Sequence, residues 1–370
     1  MKTPQISIIF PTFLRPDEVV WNLEYFRQSI SVDYEVFVLD NSPTKISYNF
    51  LDNENYIFLN ENIGTASRNI GIEKARAPYV LLLDDDSHPD PGEIERIIEL
   101  LNHSSTDIAG LITEIHNPNG NREAALLPTV FHGAGVAFKT EVLKKHNLLY
   151  PEGYCFYGEE YRLTLEIYSK GYRLENSKIK ITHRRSPHGR DLSKIFYYLA
   201  RNNAAIWNDL VPEPYLKAVL YDSNRRYELT AEKESVSDAL LDGLNSQLKT
   251  SPQAQMSIND FKKFSLIHLF EQLPDCETYV LCGTGKFTTL WGSILKQKCK
   301  DLIIADFNHA FHNKSFGEFT VLPPEEIQSL GGCFLIGHSS LIDTQKWQDF
   351  LETNKLKFHD IYQQHELKLI

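Results

Sequence analysis

The sequence predicts an α/β protein, a mostly parallel sheet with helices on both faces, followed by a smaller α/β module. Three observations predict it. Short apolar runs alternate with segments of helical period through the first half of the chain, and polar residues stand at the ends of those runs. After a polar stretch, a strand, a glycine-containing loop and a helical stretch follow again from TYVLC (278–282).

The elements can be justified in order. ISIIF (6–10), apolar but for Ser7, is a candidate buried strand. After Pro11 and Pro16, the residues Val19, Val20, Leu23, Phe26 and Ile30 recur at helical spacing. YEVFVLD (34–40) and YIFL (56–59) read as strands, residues 65–76 as a helix, and YVLLLD (79–84) as another strand. Asp90-Pro91 suits the start of a helix carrying Ile94, Ile97, Ile98 and Leu101. Residues 158–170 place Tyr161, Leu165 and Tyr168 on one face, with Gly171 as the stop. Residues 191–210 form a helix capped by Asp191 and ended by Pro212. Residues 222–262 turn polar and read as a linker with some helix, before DLIIAD (301–306), FTVL (319–322) and CFLIG (333–337). The expected division is a first domain over 1–221, a helical linker region over 222–274 and a small Rossmann-like domain over 275–370.

Bulk composition narrows the function classes. With a formal net charge of −11 over 370 residues and no basic arm, the chain repels nucleic acid and allows at most peripheral membrane contact. Any phosphate-bearing ligand then needs a local cation. The cysteines (Cys155, Cys276, Cys282, Cys299, Cys333) are scattered, with no CxxC pair, and read as reduced packing residues. The N-terminus lacks a signal-peptide pattern and no long apolar run occurs, so a cytoplasmic protein is expected.

In parallel sheets ligands bind where the strands end. Pro11-Thr12, Asp40-Asn41 and Asp84-Asp85-Asp86 each end a predicted strand, so three separate segments converge on one rim. Three adjacent carboxylates cannot all stay ionised and unpaired cheaply. A divalent cation removes that cost, and oxygen ligands suit magnesium or manganese together with a substrate phosphate. A solvated turn with capping aspartates is the plainer alternative. Downstream, Glu159 and Glu160 stand at a predicted helix N-terminus, where the dipole alone would favour them. A carboxylate there could also take a proton from an acceptor hydroxyl.

Taken in order, SIIFPTFLRP, VFVLDNSP, NENIGTASRNIGI, LLLDDDSHPDPG, GAGVAFKTEVL and the GEE helix resemble the family 2 glycosyltransferases of the GT-A fold, over about residues 5–210. The resemblance implies a GT-A nucleotide-diphospho-sugar transferase fold for the first domain. It implies that Pro11, Thr12, Arg15, Asp40, Asn62, Gly64, Arg68, Asp84 and Asp85 bind the donor nucleotide. Asp84 and Asp86 match the DxD pair that holds metal and donor ribose, and His183 falls where related enzymes carry a histidine near the metal. Arg184, Arg185, His188 and Arg190 make the following stretch basic, suited to a diphosphate. Glu160 stands where the family has the aspartate of an ED pair, its catalytic base, and Glu159 could share that role.

The implied chemistry is an inverting, Mn2+- or Mg2+-dependent transfer of one sugar from a nucleotide-sugar donor to a carbohydrate or lipid-linked glycan acceptor. The QxxRW signature of processive synthases is absent, which points to single transfers. A nucleotidyltransferase and a catalytically inactive sugar-nucleotide-binding protein are the rival readings. In the second domain, VLCGTGKFTTLW fails as a P-loop, because Val280 and Phe287 replace a required Gly and Ser/Thr. Gly283, Gly285 and Asp306 partly match a dinucleotide fingerprint, with Thr288 in place of its third glycine. A packing or oligomerisation module is the alternative there, and self-association of the chain is left open.

Overall fold

Continuous apolar runs become the central strands. In the computed structural model, which describes residues 3–123, 125, 127–154, 156–184, 191–248, 255–337 and 341–361, contacts divide the chain into two units. One comprises residues 1–124 and 129–189, the other residues 125–128 and 190–370. Cys155, Arg185, His188 and Arg190 lie outside the described residues.

The first unit runs β1 (Ile6–Thr12), α1 (Pro16–Ser29), β2 (Tyr34–Asp40), β3 (Glu54–Phe58), α2 (Arg68–Lys74), β4 (Tyr79–Leu83), β5 (Ser87–Pro89) and α3 (Glu93–His103). It continues through β6 (Ile108–His116), β7 (Arg122–Glu123), β8 (Gly135–Lys139), α4 (Thr140–His146), α5 (Glu159–Ser169) and β9 (Arg173–His183). The sheet order is β3-β2-β1-β4-β8-β6-β9-β5, with β7 paired to β6. β3, β2, β1 and β4 are mutually parallel, and β8 runs antiparallel to both β4 and β6. Alternation along β1 serves both faces. Ile8 and Phe10 pack with Val19, Leu23 and Phe26 of α1 and Ile94 and Ile97 of α3, whereas Ile9 joins Ile72, Leu163 and Ile167 on the other side. Each such burial stabilises by about 1.5–3 kcal/mol. α2 approaches the sheet through Gly71, where a Cβ would lie 2.6 Å from the Ile9 side chain. The parallel register sets Thr12 opposite Asp40, so the two strand ends finish level.

The second unit holds α6 (Leu192–Trp207), α7 (Glu213–Lys233), α8 (Ser237–Asn245), α9 (Ile258–Phe264) and α10 (Ile267–Glu271). After them come β10 (Cys276–Cys282), α11 (Thr288–Leu295), β11 (Cys299–Ala305), β12 (Ser315–Phe316), β13 (Phe319–Leu322), β14 (Cys333–Ile336), α12 (Leu341–Thr353) and β15 (Phe358–Asp360). Its sheet order is β12-β13-β11-β10-β14-β15, parallel except for the β12–β13 hairpin.

Two expectations differ from this structure. The units divide near residue 190 rather than after 221, and the described residues between 222 and 274 include the end of α7 and the packed helices α8, α9 and α10. The reason is that α6, α7 and α8 share a core of Phe196, Ala200, Tyr227, Ala231 and Leu240, while the polar look of α7 includes Asp222 and Ser223, which are buried. The cysteines are not all reduced. Cys276 and Cys333 form a disulfide between the neighbouring strands β10 and β14, a proximity that 57 residues of separation hid. Cys282 and Cys299 are free thiols. Among the described residues, no helix is long and apolar enough to cross a membrane.

Candidate active site

The rim of the first sheet gathers the predicted residues. Asp40, fully buried at the end of β2, accepts the Ser42 N–H at 2.9 Å and the Tyr56 hydroxyl at 2.5 Å. Burial and that bond to Asp40 push the Tyr56 phenol up to about 12. Half-buried Pro11 precedes Thr12 at the end of β1. Asn62 is exposed and its side-chain oxygen accepts the Gly64 N–H at 3.0 Å, with Gly64 in the left-handed region at φ 64°.

The aspartate triplet is matched by cations of the chain itself. Arg68, 1 % exposed on α2, donates to Asp84 Oδ1 at 2.6 Å and also to the carbonyls of Leu83 and Gly133. Arg15 donates to Asp85 Oδ1 at 2.7 Å and Asp86 Oδ2 at 3.1 Å, and the Thr12 hydroxyl donates to Asp85 Oδ2 at 2.8 Å. Burial raises the Asp85 carboxyl to about 6 against the opposing pull of Arg15. The Asp85 carbonyl accepts from Asn22 at 2.7 Å, and Arg184, stacked 3.6 Å over Trp21, bonds Asn22 and Glu18. Asp84 is the open member of the triplet, its side chain 38 % exposed, while Asp85 and Asp86 are buried.

Beside Asp86 stands His183, the last residue of β9, placed there because Ser87 of β5 pairs with it. Asp84, Asp86 and His183 each offer a ligand atom, and these atoms lie within 4.8 Å of one another. His183 Nε2 is 3.2 Å from Asp86 Oδ1, and its Nδ1 is 3.3 Å from Glu123 Oε2. A neutral imidazole carries one N–H, so both carboxylate contacts can be favourable only with a second proton or a cation at Nε2. Burial opposes a charged ring, but Asp86, Asp84 and Glu123 outweigh it and raise the His183 pKa. Two carboxylates and an imidazole fit Mn2+ or Mg2+ as a donor set.

Glu159 and Glu160 open α5 behind the left-handed Gly158. Burial first, then the Glu160 charge, hold the Glu159 carboxyl well above the usual range, and its Oε2 is buried without a hydrogen-bond partner. Glu160 is also raised, by burial and by Asp84, with Arg68 pulling the other way. Gly133 ties this pair to the triplet. Its carbonyl accepts from Arg68 at 3.1 Å, and a Cβ on it would meet Glu160 Oε1 at 2.7 Å. The site thus brings the Glu159–Glu160 pair to the Arg68 side of the aspartates. Sequence reasoning had not singled out Asn22, Glu123, His132 or Gly133. Asn22 comes from the buried face of α1, Glu123 from the β6–β7 pairing, and His132 and Gly133 from the turn into β8.

In the second unit, Gly283 follows β10 at φ 97°, and the Thr284 N–H and hydroxyl both donate to Asp306 Oδ2 at 2.6 Å. Asp306 Oδ1 accepts the Asn308 N–H at 2.6 Å, and the Gly285 N–H donates to Thr288 at 2.8 Å. At the start of α11, the Thr289 N–H and hydroxyl donate to Asp222 at 2.9 and 2.8 Å, and Lys286 reaches the Tyr227 hydroxyl at 2.7 Å. A phosphate in this loop would have to displace a carboxylate that the chain already supplies.

Comparison with known proteins finds similarity over part of the chain. The model of the family described as glycosyl transferase family 2 matches residues 7–158. An uncharacterized glycosyltransferase of Haemophilus influenzae is 33% identical over 103 residues, covering 26% of this chain and 34% of its own length, so the chain spans about a third of that relative. Among solved structures, S. aureus TarS 1–349 in complex with UDP-GlcNAc is similar at TM-score 0.47 and 15% identity, over 72% of this chain and 84% of that one. The mannosyltransferase PcManGT from Pyrobaculum calidifontis, in complex with GDP-Man and Mn2+, is similar at TM-score 0.44 and 14% identity, over 80% and 86%. The part of this chain that is similar to the glycosyl transferase family 2 model, residues 7–158, includes the aspartate triplet and Glu123.

Proposed function

We propose that the protein is an inverting, divalent-metal-dependent glycosyltransferase that moves one sugar from a nucleotide-diphosphate sugar to an acceptor hydroxyl of a carbohydrate or lipid-linked glycan. The observation that carries the reading is the convergence of the Asp84/Asp86/His183 group with Glu160 through Arg68 and Gly133, in a chain whose residues 7–158 match the family 2 model. Asp84, Asp86 and His183 would hold Mn2+ or Mg2+, which when bound neutralises charge on the leaving diphosphate. Thr12, Asp40, Asn62 and Gly64 line the rim where the nucleoside would lie, with Pro11 and Arg15 beside it. Glu160 takes the proton of the acceptor hydroxyl as that oxygen attacks the anomeric carbon from the face opposite the nucleotide. Its raised pKa brings it closer to neutrality, where a general base is most effective. Glu159, buried beside it, shares the proton.

The test is a panel of nucleotide sugars incubated with Mn2+ or Mg2+, scored for nucleoside diphosphate release with and without sugar acceptors. Release that needs the ion and is lost in Asp86→Ala supports the transferase. Release of pyrophosphate from nucleoside triphosphates would instead indicate a nucleotidyltransferase. Nucleotide binding without turnover, unchanged in Glu160→Ala, would indicate an inactive binding protein.

A further inference from the structure

We propose that Glu123 is a positioning residue for the metal group: it receives the Nδ1 proton of His183 and so fixes the ring with Nε2 turned to Asp86 and the ion. The inference rests on the metal reading above and goes beyond it, since it makes the hairpin that carries Glu123 part of the site.

The chain builds this contact in steps. β6 turns back into β7 through NPNGN, where the Asn117 side chain accepts the N–H groups of Asn119 and Asn121 at 3.0 and 3.1 Å and Gly120 takes φ 79°. The hairpin pairs Ile115 with Glu123, while β6 on its other edge pairs Ile115 with Ile181 of β9. Side chains of paired residues share a face, and so do residues two apart on a strand. Glu123, Ile115, Ile181 and His183 therefore share one face, which puts the Glu123 carboxylate 3.3 Å from His183 Nδ1 with its side chain 8 % exposed. His132 approaches the same carboxylate at 3.9 Å by Nε2. Its Nδ1 accepts the Ala134 N–H at 3.1 Å, so the proton of its neutral form lies on the nitrogen facing Glu123. Two rings thus present N–H groups to one carboxylate. A histidine ligand whose second nitrogen donates to a carboxylate is held in one tautomer and made a better donor, and losing such a partner typically lowers metal affinity by about 10–100-fold. The other acid of the hairpin, Glu114, is engaged instead by Arg122 at 2.6 Å and Lys178 at 3.3 Å.

The experiment is titration of the full chain with Mn2+ alone, counting free ion by electron paramagnetic resonance, alongside metal-free thermal unfolding. Glu123→Ala is expected to weaken Mn2+ binding by about 10–100-fold. Glu123→Gln, whose amide oxygen can still accept from Nδ1, should lose less, and Glu114→Ala should bind as the unaltered protein does. The metal-free melting temperature of Glu123→Gln should stay unchanged. Equal affinity in all three variants would overturn the positioning role while leaving the metal site intact. So would an equal loss in Glu114→Ala, which would mean that hairpin integrity alone matters. If the unaltered protein binds no Mn2+, both this inference and the metal reading fall.

Discussion

Both units carry aspartate where a parallel strand ends, Asp84–Asp86 after β4 and Asp306 after β11, but the surroundings of these acids differ. In the first, Asp84 is held from one side by Arg68 yet stays partly open, and Asp86 lies 3.2 Å from His183 Nε2. In the second, Thr284 and Asn308 of the chain bond both oxygens of Asp306, and the start of α11 meets Asp222 Oδ2 through Thr289. A strand-end acid whose oxygens the chain already bonds, as with Asp306, has less left to offer a ligand than the partly open Asp84.

Several changes would break or sharpen this contrast. The largest effect is expected from Asp86→Ala. Under the proposed metal role, loss of this carboxylate forfeits several kcal/mol of transition-state stabilisation, so nucleoside diphosphate release should fall by about 10³-fold or more. Next is Glu160→Gln, for which kcat should drop by about 10²–10⁴-fold with nucleotide binding retained, as read by single-turnover kinetics. The base must be ionised to act and its pKa is raised, so in the unaltered protein the rate should fall as pH drops through a value above the ordinary carboxylate range. That acid limb should be missing in the variant.

A smaller loss, about 10-fold to 100-fold in kcat, is expected for Gly133→Ala, because the new methyl displaces the end of the Glu160 side chain without touching a core residue. Its melting temperature should stay close to that of the unaltered protein. In the second unit, Asp222→Asn should leave transfer alone and change only stability. Burial raises Asp222 to about 7, so between the ordinary carboxylate value and 7 the folded chain keeps a proton that the unfolded chain releases. Stability therefore declines as pH rises across that window and levels off above it. The variant should lack this contribution, and denaturant titrations at several pH values should show its advantage growing upward through the window to about 1–4 kcal/mol.

The contrast also explains what the sequence could show. β1, β2 and β4 were legible because strands buried on both faces read as largely apolar runs, broken only by Ser7 and Glu35, which bond each other, and the strand-end acids followed from them. β6 was not, because Gly110 and Thr113 interrupt its pattern; Gly110 is needed where a Cβ would lie 2.2 Å from the Ala137 carbonyl oxygen. The helices over 222–274 look like linker because α7 buries polar groups, Asp222 and Ser223, that only the fold around them satisfies or encloses. The DxD pair and His183 were readable as residue types in a family pattern. Glu123 was not, since its role comes from a hairpin register and from a ring 60 positions away.

The account rests on the claim that the first sheet edge takes a divalent ion and the second does not. Crystals soaked in Mn2+ and measured at the manganese absorption edge test it most directly. An anomalous peak bounded by Asp84, Asp86 and His183, with none beside Asp222 and Thr289, is the predicted result. A map with no peak at the aspartate triplet would contradict it.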